Sequence, residues 1–137
     1  MGTLSARKLN ELDYDDILLG WWKDWGWEAP VKDFLPDDGE GGIIILDGEV
    51  PVCAGFIYTT NSKVAWVDWI ISNKDYNEKS TRKEAIRMLI SSLTNVCKGV
   101  GFKYSYALIK NESLIKVYEE IGYVQGDNYT TEMIKIL

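Results

Sequence analysis

Three short apolar segments, separated by turn residues, occupy the middle of the chain. Ile43–Leu46 is bounded by glycines and is joined to Val50–Tyr58 through Asp47–Gly48, a strong two-residue hairpin signal. Asn61–Lys63 marks the next turn and leads into the apolar run Val64–Ile71. This pattern predicts a three-strand meander.

The stretch that follows has the period of an amphipathic helix. Its apolar face is formed by Ala85, Ile86, Leu89, Ile90, Leu93, Val96, Cys97 and Val100. Thr81 and Glu84 have the capping-box spacing that marks a helix start, and Gly99 or Gly101 ends the helix. Tyr104–Ile109 then reads as a strand parallel to the last strand of the meander, because a strand–helix–strand connection is a crossover.

Shorter elements are predicted at both ends of the chain. Before the meander they are an edge strand at Arg7–Leu9, a helix that Asp13 opens and Gly26 ends, and a short helix at Val31–Leu35. After the crossover they are a helix from Ser113 to Ile121 that Gly122 ends, a strand from Tyr123 onward and a last strand at Glu132–Leu137. We expect one α/β domain, residues 1–137, with a mixed sheet and the order β-α-α-β-β-β-α-β-α-β-β.

Composition narrows the classes of function. The net charge of −6 argues against nucleic-acid binding, which needs a basic footprint, and suits an amine-bearing partner. The chain has no histidine, which excludes Ser-His-Asp and Cys-His catalysis and most zinc sites, so we expect no metal. Cys53 and Cys97 are interpreted as buried free thiols. No apolar run approaches the ~20 residues of a membrane span, and the N-terminus is too polar for a secretory signal, so we expect a cytoplasmic protein.

The string NESLIKVYEEIGY has the pattern Asn-x-x-x-x-x-x-Tyr-x-x-x-Gly-aromatic, with Asn111, Tyr118, Gly122 and Tyr123 at the fixed positions. It resembles the second conserved motif of the GNAT superfamily of N-acetyltransferases. The predicted order of elements is also similar to the GNAT-like acyl-CoA N-acyltransferase fold over nearly the whole chain. The resemblance implies that acetyl-CoA is the acyl donor and that an amine accepts the acyl group.

The resemblance also implies a cleft between Val64–Ile71 and Tyr104–Ile109, two parallel strands that splay apart. Pantetheine would pair with the exposed backbone of the first strand, at Ile70, Ile71 and Ser72. The same N–H groups could stabilise the oxyanion formed when an amine attacks the thioester. From residue types alone, an ordinary core strand is nearly as good an interpretation.

The loop and helix start after this strand would hold the pyrophosphate, because free N–H groups at a helix N-terminus bind anions. The family's signature there is Arg/Gln-x-x-Gly-x-Gly/Ala, and this chain departs from it. Asn77 aligns with the first position, Ser80 with the first glycine and Arg82 with the second. The cofactor-binding candidates here are Asn77, Lys79, Ser80, Thr81 and Arg82. The alternative is a solvated, well-capped helix start.

Tyr118 is the first catalytic candidate, since the matching tyrosine of the family protonates the departing thiolate. Simple packing of its ring beneath the sheet is the alternative. Asn111 would orient a pantetheine amide or cap the helix. Asp68 is the only charge in its strand and is the candidate general base for the incoming ammonium. It could equally lie on a solvated face or accept a bond from an indole.

Four tryptophans cluster in the string WWKDWGW, at positions 21, 22, 25 and 27. Trp22 and Trp27, with Asp24 and Glu28, are the candidates for holding a flat or cationic amine by stacking and cation–π attraction. Packing between helix and sheet is the expected role of Trp21 and Trp25.

The sequence thus predicts an acyl-CoA-dependent N-acyltransferase that transfers acetyl directly to a small-molecule or peptide amine. One alternative is a GNAT-like binding module that has lost coenzyme binding, which the glycine-poor loop favours. Another is a modifier of nucleic-acid bases, against which the net charge argues. We expect no membrane partner, and the sequence leaves a homodimer open.

Overall fold

A five-stranded sheet organises the chain, and its strands lie side by side in the order in which they occur along the sequence. The structure is a computed structural model, and it describes residues 3–128 and 131–137. The strands are β1 (Leu4–Lys8), β2 (Gly42–Asp47), β3 (Val50–Thr59), β4 (Val64–Ser72) and β5 (Tyr104–Tyr106). The pairs from β1 to β4 are antiparallel, and β4 pairs with β5 in parallel, which makes the sheet mixed.

The helices connect these strands as the apolar periods predict. A turn of π-helix at Tyr14–Leu18 continues into α1 (Leu19–Asp24), and two 3₁₀ turns follow at Lys32–Phe34 and Pro36–Gly39. α2 (Lys79–Val100) crosses from β4 to β5, and α3 (Glu112–Ile121) follows β5. Gly101 and Gly122 end these two helices with φ of 112° and 115°, a conformation that glycine adopts without strain.

The sheet buries both of its faces. On one face α2 and α3 pack over Cys53, Ala65 and Val67. On the other face the segment containing α1 packs over Ile44, Ala54 and Phe56. Within residues 3–128 and 131–137, no helix combines the length and the apolar character needed to cross a bilayer.

Strand β4 contains a bulge opposite Gly55 of β3. Ala54 lies opposite Ile71 whereas Phe56 lies opposite Asp68, so two residues of β4 stand against one of β3. Trp69, one of those two residues, has a φ of +57°, which is rare for a bulky side chain. The bulge therefore turns both Asp68 and Trp69 towards the face on which α1 lies.

The predicted helix starts need two corrections. α2 begins at Lys79, two residues before the expected cap Thr81, and no side chain caps its N-terminus. Asp13 does precede the first helical turn, but its carboxylate accepts bonds from the Arg7 guanidinium and the Asn10 N–H instead of capping the helix. Arg7, which lies in β1 only six residues before Asp13, forms an ion pair with this carboxylate at 2.8 Å.

The last part of the predicted order is wrong. The described residues 123–128 and 131–137 contain no strand, whereas Tyr129 and Thr130 lie outside the described residues. β5 also stops at Tyr106, three residues short of the predicted Ile109. β5 ends early because β4 leaves it after three residue pairs, and a strand needs a partner for its backbone groups.

Candidate functional site

The candidate site is the gap that opens between β4 and β5. Pairing between the two strands is limited to Val64 with Tyr104, Ala65 with Ser105 and Trp66 with Tyr106. β4 continues to Ser72 beyond this point. The gap is thus formed by the splaying of two parallel strands, as the resemblance implied.

The pleat of β4 shows which backbone groups face this gap. The Asn73 N–H donates to the Val52 carbonyl of β3 at 2.8 Å. Because successive residues of a regular strand point their N–H and C=O groups to opposite sides, Ile71 also faces β3, whereas Ser72 faces the gap. Ile70 lies in the bulge, where this alternation is interrupted. Of the three backbone positions expected to bind pantetheine, Ser72 therefore has the required direction. The Ser72 carbonyl already accepts a bond from Trp25 Nε1 at 2.8 Å.

Tyr118 lies at the apex of the gap. Its side chain is 1% exposed, and its hydroxyl donates to the Val67 carbonyl at 2.9 Å, one residue beyond the last β4–β5 pair. Burial, with the charge of Asp68 and the neighbouring Tyr123 as smaller causes, raises the pKa of Tyr118. The hydroxyl is therefore protonated at neutral pH and is a donor at the point where the strands separate.

Asp68 spans the same gap with its carboxylate. Its Oδ1 accepts from the Trp69 N–H at 2.9 Å, and its Oδ2 accepts from the Leu108 N–H, beyond the end of β5, at 3.4 Å. Burial raises the pKa of Asp68, although the two N–H groups oppose that effect. An indole N–H was one predicted donor to Asp68, but Trp69 donates through its backbone N–H instead.

The two catalytic candidates lie on opposite faces of the sheet. Tyr118 belongs to the core under α2 and α3, together with Val67. The side chain of Asp68 points to the other face, because Phe56, its partner in β3, belongs to the core under α1. A thioester lying in the gap could thus be reached by an acid from one face and by a base from the other.

The loop between β4 and α2 is filled by Arg82. Its Nη2 donates to the carbonyls of Asn73 and Lys74, both at 3.3 Å, and to the carbonyl of Tyr76. The guanidinium is therefore directed at the carbonyls of its own loop, and this orientation does not favour the predicted contact with pyrophosphate. A side chain here takes the space that a glycine would leave open.

The other loop candidates surround the start of α2. Asn77, Lys79 and Ser80 are exposed, and Thr81 is half-buried. The first main-chain bond of the helix runs from the Arg82 N–H to the Glu78 carbonyl at 2.8 Å, so the N–H groups of the preceding residues have no partner within the helix. The arrangement suits an anion at the helix start, which stays a prediction.

Asn111 caps α3, since its side-chain oxygen accepts from the Leu114 N–H at 3.0 Å. This confirms one of the two roles expected for it. Its other proposed role, a contact with pantetheine, stays a prediction.

Of the two tryptophans predicted to lie at the surface, Trp27 is exposed and Trp22 is buried. Trp22 is 2% exposed and lies edge-on to Trp69, so it belongs to the core and not to the surface. Trp22 follows the buried Leu18 by four residues, a spacing that keeps both side chains on the covered face of the helix. Trp27 is 54% exposed and stacks on Trp25 at 5.5 Å. Asp24 and Glu28 are exposed beside this pair.

A set of aromatic residues near Asp68 escaped the sequence analysis. Tyr58 and Tyr106 are the cross-strand partners of Trp66, on either side of it. The signal was present in the alternation of Trp66 and Asp68 along β4, which places both on one face. Strand pairing was needed to bring the other two rings beside them.

The described residues, 3–128 and 131–137, hold no group of three or more Asp, Glu, Cys or His side chains that could bind a metal ion. Cys53 and Cys97 are both free and buried, and burial raises the pKa of each thiol. Neither cysteine is placed as a nucleophile.

Three solved structures with the same fold are N-acetyltransferases or an N-acetylglutamate synthase. Glucosamine-6-phosphate N-acetyltransferase from Arabidopsis thaliana is 12% identical, with a TM-score of 0.64 over 96% of this chain and 99% of that chain. The ribosomal-protein-S18-alanine N-acetyltransferase from Escherichia coli is 14% identical, with a TM-score of 0.65 over 90% and 79%. N-acetylglutamate synthase from Neisseria gonorrhoeae, complexed with coenzyme A and L-arginine, is 12% identical, with a TM-score of 0.70 over 93% of this chain and 28% of that chain.

These similarities show that the chain has the GNAT fold. No protein-family model and no curated protein sequence matches the chain.

Proposed function

We propose that this protein is an acyl-CoA-dependent N-acyltransferase that transfers acetyl from acetyl-CoA directly to an amine. The observation that carries the proposal is the gap between β4 and β5, with the Tyr118 hydroxyl at its apex. The fold supports it, because the solved structures described above are acetyltransferases and one of them was complexed with coenzyme A.

The chemistry of transfer requires two protons to move. The amine nitrogen attacks the thioester carbonyl carbon, a C–N bond forms and the C–S bond breaks. The amine loses a proton, and the departing thiolate gains one. Asp68, whose pKa burial raises, is the proposed acceptor of the first proton, directly or through water. Tyr118 is the proposed donor of the second.

The backbone of β4 would orient the donor substrate. Ser72 directs its main-chain groups into the gap, where a pantetheine amide can satisfy them, and Ile70 is the second proposed contact. An N–H group in that position would also stabilise the oxyanion of the tetrahedral intermediate. Lys79 and the uncapped start of α2 provide positive potential for the pyrophosphate.

Tyr118→Phe tests the proposal most directly. The substitution keeps the buried ring and removes only the hydroxyl, so we expect the dissociation constant of acetyl-CoA to stay within about twofold while kcat falls by ~100-fold. Binding is measured by calorimetric titration, and turnover by thiol release in a screen of primary amines.

Tyr14→Phe is the matched control. The Tyr14 hydroxyl is also buried and donates to a main-chain carbonyl, that of Pro30, at 2.6 Å, but it lies under α1 and away from the gap. Turnover by this variant should equal that of the unaltered protein. Equal turnover by Tyr118→Phe would remove Tyr118 from the mechanism. Absence of both heat and thermal stabilisation at millimolar acetyl-CoA would overturn the enzyme proposal itself.

A second candidate is a GNAT-like binding module without coenzyme. The observation that favours it is the Arg82 side chain, which fills the loop expected to receive the pyrophosphate. Arg82→Gly separates the two candidates. If the guanidinium obstructs the coenzyme, the variant should bind acetyl-CoA where the unaltered protein does not.

A further inference from the structure

A row of aromatic side chains crosses three strands beside the gap. Trp66 of β4 lies opposite Tyr58 of β3 and Tyr106 of β5, and directly opposed residues project from the same face of a sheet. The Trp66 and Tyr106 rings meet edge to face, with centroids 4.9 Å apart. The Tyr58 hydroxyl donates to the Phe34 carbonyl at 2.9 Å, which fixes that ring in the row.

This row remains accessible to a ligand. α2 and α3 cover the other face of the sheet, and the helical segment around α1 packs over Phe56 and Ala54, further towards the end of β4. Tyr106 is 40% exposed and Leu108, two residues further on, is 51% exposed. The face therefore presents exposed aromatic and apolar side chains next to the gap.

A carboxylate without a cationic partner adjoins the row. Asp68 follows Trp66 by two residues and shares its face. Burial raises the pKa of Tyr58 to about 12, and the charge of Asp68 adds to this effect. The ion pairs of residues 3–128 and 131–137 involve other carboxylates, and the hydrogen bonds to Asp68 come from two neutral N–H groups.

We propose that this face, formed by Tyr58, Trp66, Tyr106 and Asp68, is the acceptor site and takes a primary ammonium carried on an aromatic body. The ring would lie against Trp66 and Tyr106, and the ammonium would pair with the Asp68 carboxylate and with the faces of the rings. The negative net charge favours a cation in the same way.

The assignment of this ligand as an acyl acceptor rests on the proposed function. Asp68 and Tyr118 approach the gap from opposite faces, so an ammonium bound at Asp68 would present its nitrogen to a thioester held between the strands. The site lies on β3, β4 and β5, whereas the sequence had placed the acceptor at the tryptophans that flank the end of α1.

Direct binding in the absence of acetyl-CoA tests the inference without using activity. The probes are 2-phenylethylamine, its neutral counterpart 2-phenylethanol, and ethylamine, which lacks the ring. Calorimetric titration of the unaltered protein should show 2-phenylethylamine binding at least ~10-fold more tightly than either of the others, the effect expected for one charged contact together with one stacked ring.

Two substitutions locate the contacts. Asp68→Asn should remove the preference for the amine over the alcohol, and Trp66→Leu should weaken both ligands by ~10-fold. Asp16→Asn, at an exposed position on the first helical turn, is the charge-matched control and should change nothing. Circular dichroism confirms that each variant is folded, and the Asp68→Asn result alone decides the charge contact if Trp66→Leu fails to fold.

The outcomes separate this inference from the proposed function. Amine preference that survives in Asp68→Asn, or that is lost in Trp27→Leu instead, would overturn the inference and return the acceptor to the stacked tryptophans. Acetyl-CoA binding without any amine binding also overturns it but leaves the proposed function standing. Amine binding without acetyl-CoA binding supports the site and contradicts the enzyme.

Discussion

Asp68 carries its negative charge in a half-buried position without a positively charged neighbour in the described part of the chain. Burial is the main cause of the raised pKa of Asp68, so its carboxyl group binds a proton more tightly in the folded protein than in the unfolded chain. The stabilisation that the proton provides is complete below the unfolded-state pKa of ~3.9 and is lost as the pH rises through the folded-state value.

The free energy of unfolding of Asp68→Asn, relative to that of the unaltered protein, should therefore increase as the pH rises. The difference in melting temperature, variant minus unaltered protein, should be more positive at pH 7 than at pH 4, because asparagine does not titrate. Any constant cost of altered hydrogen bonding cancels from this comparison. Thermal denaturation followed by circular dichroism at several pH values measures the difference.

Asp13→Asn is a control of opposite sign. Burial opposes ionisation of Asp13, but the bonds from Arg7 and from the Asn10 N–H outweigh burial and lower the pKa. Its stabilising effect is present above the unfolded-state pKa and is lost as the pH falls. Asp13→Asn should thus be most destabilising at neutral pH. Two variants with the same sign of pH dependence would contradict this account of the two carboxylates.

A motif or a strand pattern in the sequence singled out individual residues, whose roles in catalysis and coenzyme binding stay predictions. Tyr118 and Asn111 came from a spaced motif, and Asp68 came from its isolation in an apolar strand. The direction of the Arg82 side chain could not be predicted, because it depends on three carbonyls of a loop without regular structure. Trp22 is buried against Trp69 of β4, a contact between residues far apart in the sequence.

At the scale of elements, close packing between β2 and β3 limits what their glycines can become. An added Cβ at Gly42 would lie 2.0 Å from the Gly55 carbonyl oxygen, which is main chain and cannot rotate away. Gly42→Ala should therefore lower the free energy of unfolding by ~1–3 kcal/mol or more. Gly20→Ala in α1, where nothing lies within 4 Å, should raise it by ~0.5–1 kcal/mol. Urea denaturation measures both, and equal effects would show that strand packing is not the cause.

The boundaries of elements were predictable only where local sequence decides them. Glycine ends α2 and α3 as expected, and the predicted hairpin turn between β2 and β3 is present, although its loop is Gly48–Glu49 and Asp47 belongs to β2. The end of β5 depends instead on the departure of β4, which is a property of two strands far apart in sequence.

For the whole molecule, the motif from Asn111 to Tyr123 and the order of helices and strands together predicted the fold, whereas residues 131–137 add nothing to its packing. Residues 131–137 are exposed throughout, and Ile136 is 93% exposed. Deletion of residues 131–137 should leave the free energy of unfolding unchanged within about 0.5 kcal/mol. Urea denaturation at low protein concentration provides the comparison.

Tyr123→Ala is the contrasting substitution near the same end of the chain. The Tyr123 ring packs edge-on against Tyr118, and its hydroxyl bonds with Thr94 and Ser105, so its loss should cost ~3–5 kcal/mol. If deletion of residues 131–137 lowered the free energy of unfolding as much as Tyr123→Ala does, residues 131–137 would have to pack against the sheet.

The stacked pair Trp25 and Trp27 has a practical consequence for following these events. Trp25 joins the end of β4 through its indole N–H on the Ser72 carbonyl, and Lys74 lies 5.3 Å from the centre of its ring. Any ligand that engages Ser72 or displaces Lys74 changes the polarity and the electric field around this fluorophore. The protein therefore contains its own optical probe at the end of β4, and the arrival of a ligand can be timed by stopped-flow emission without a label.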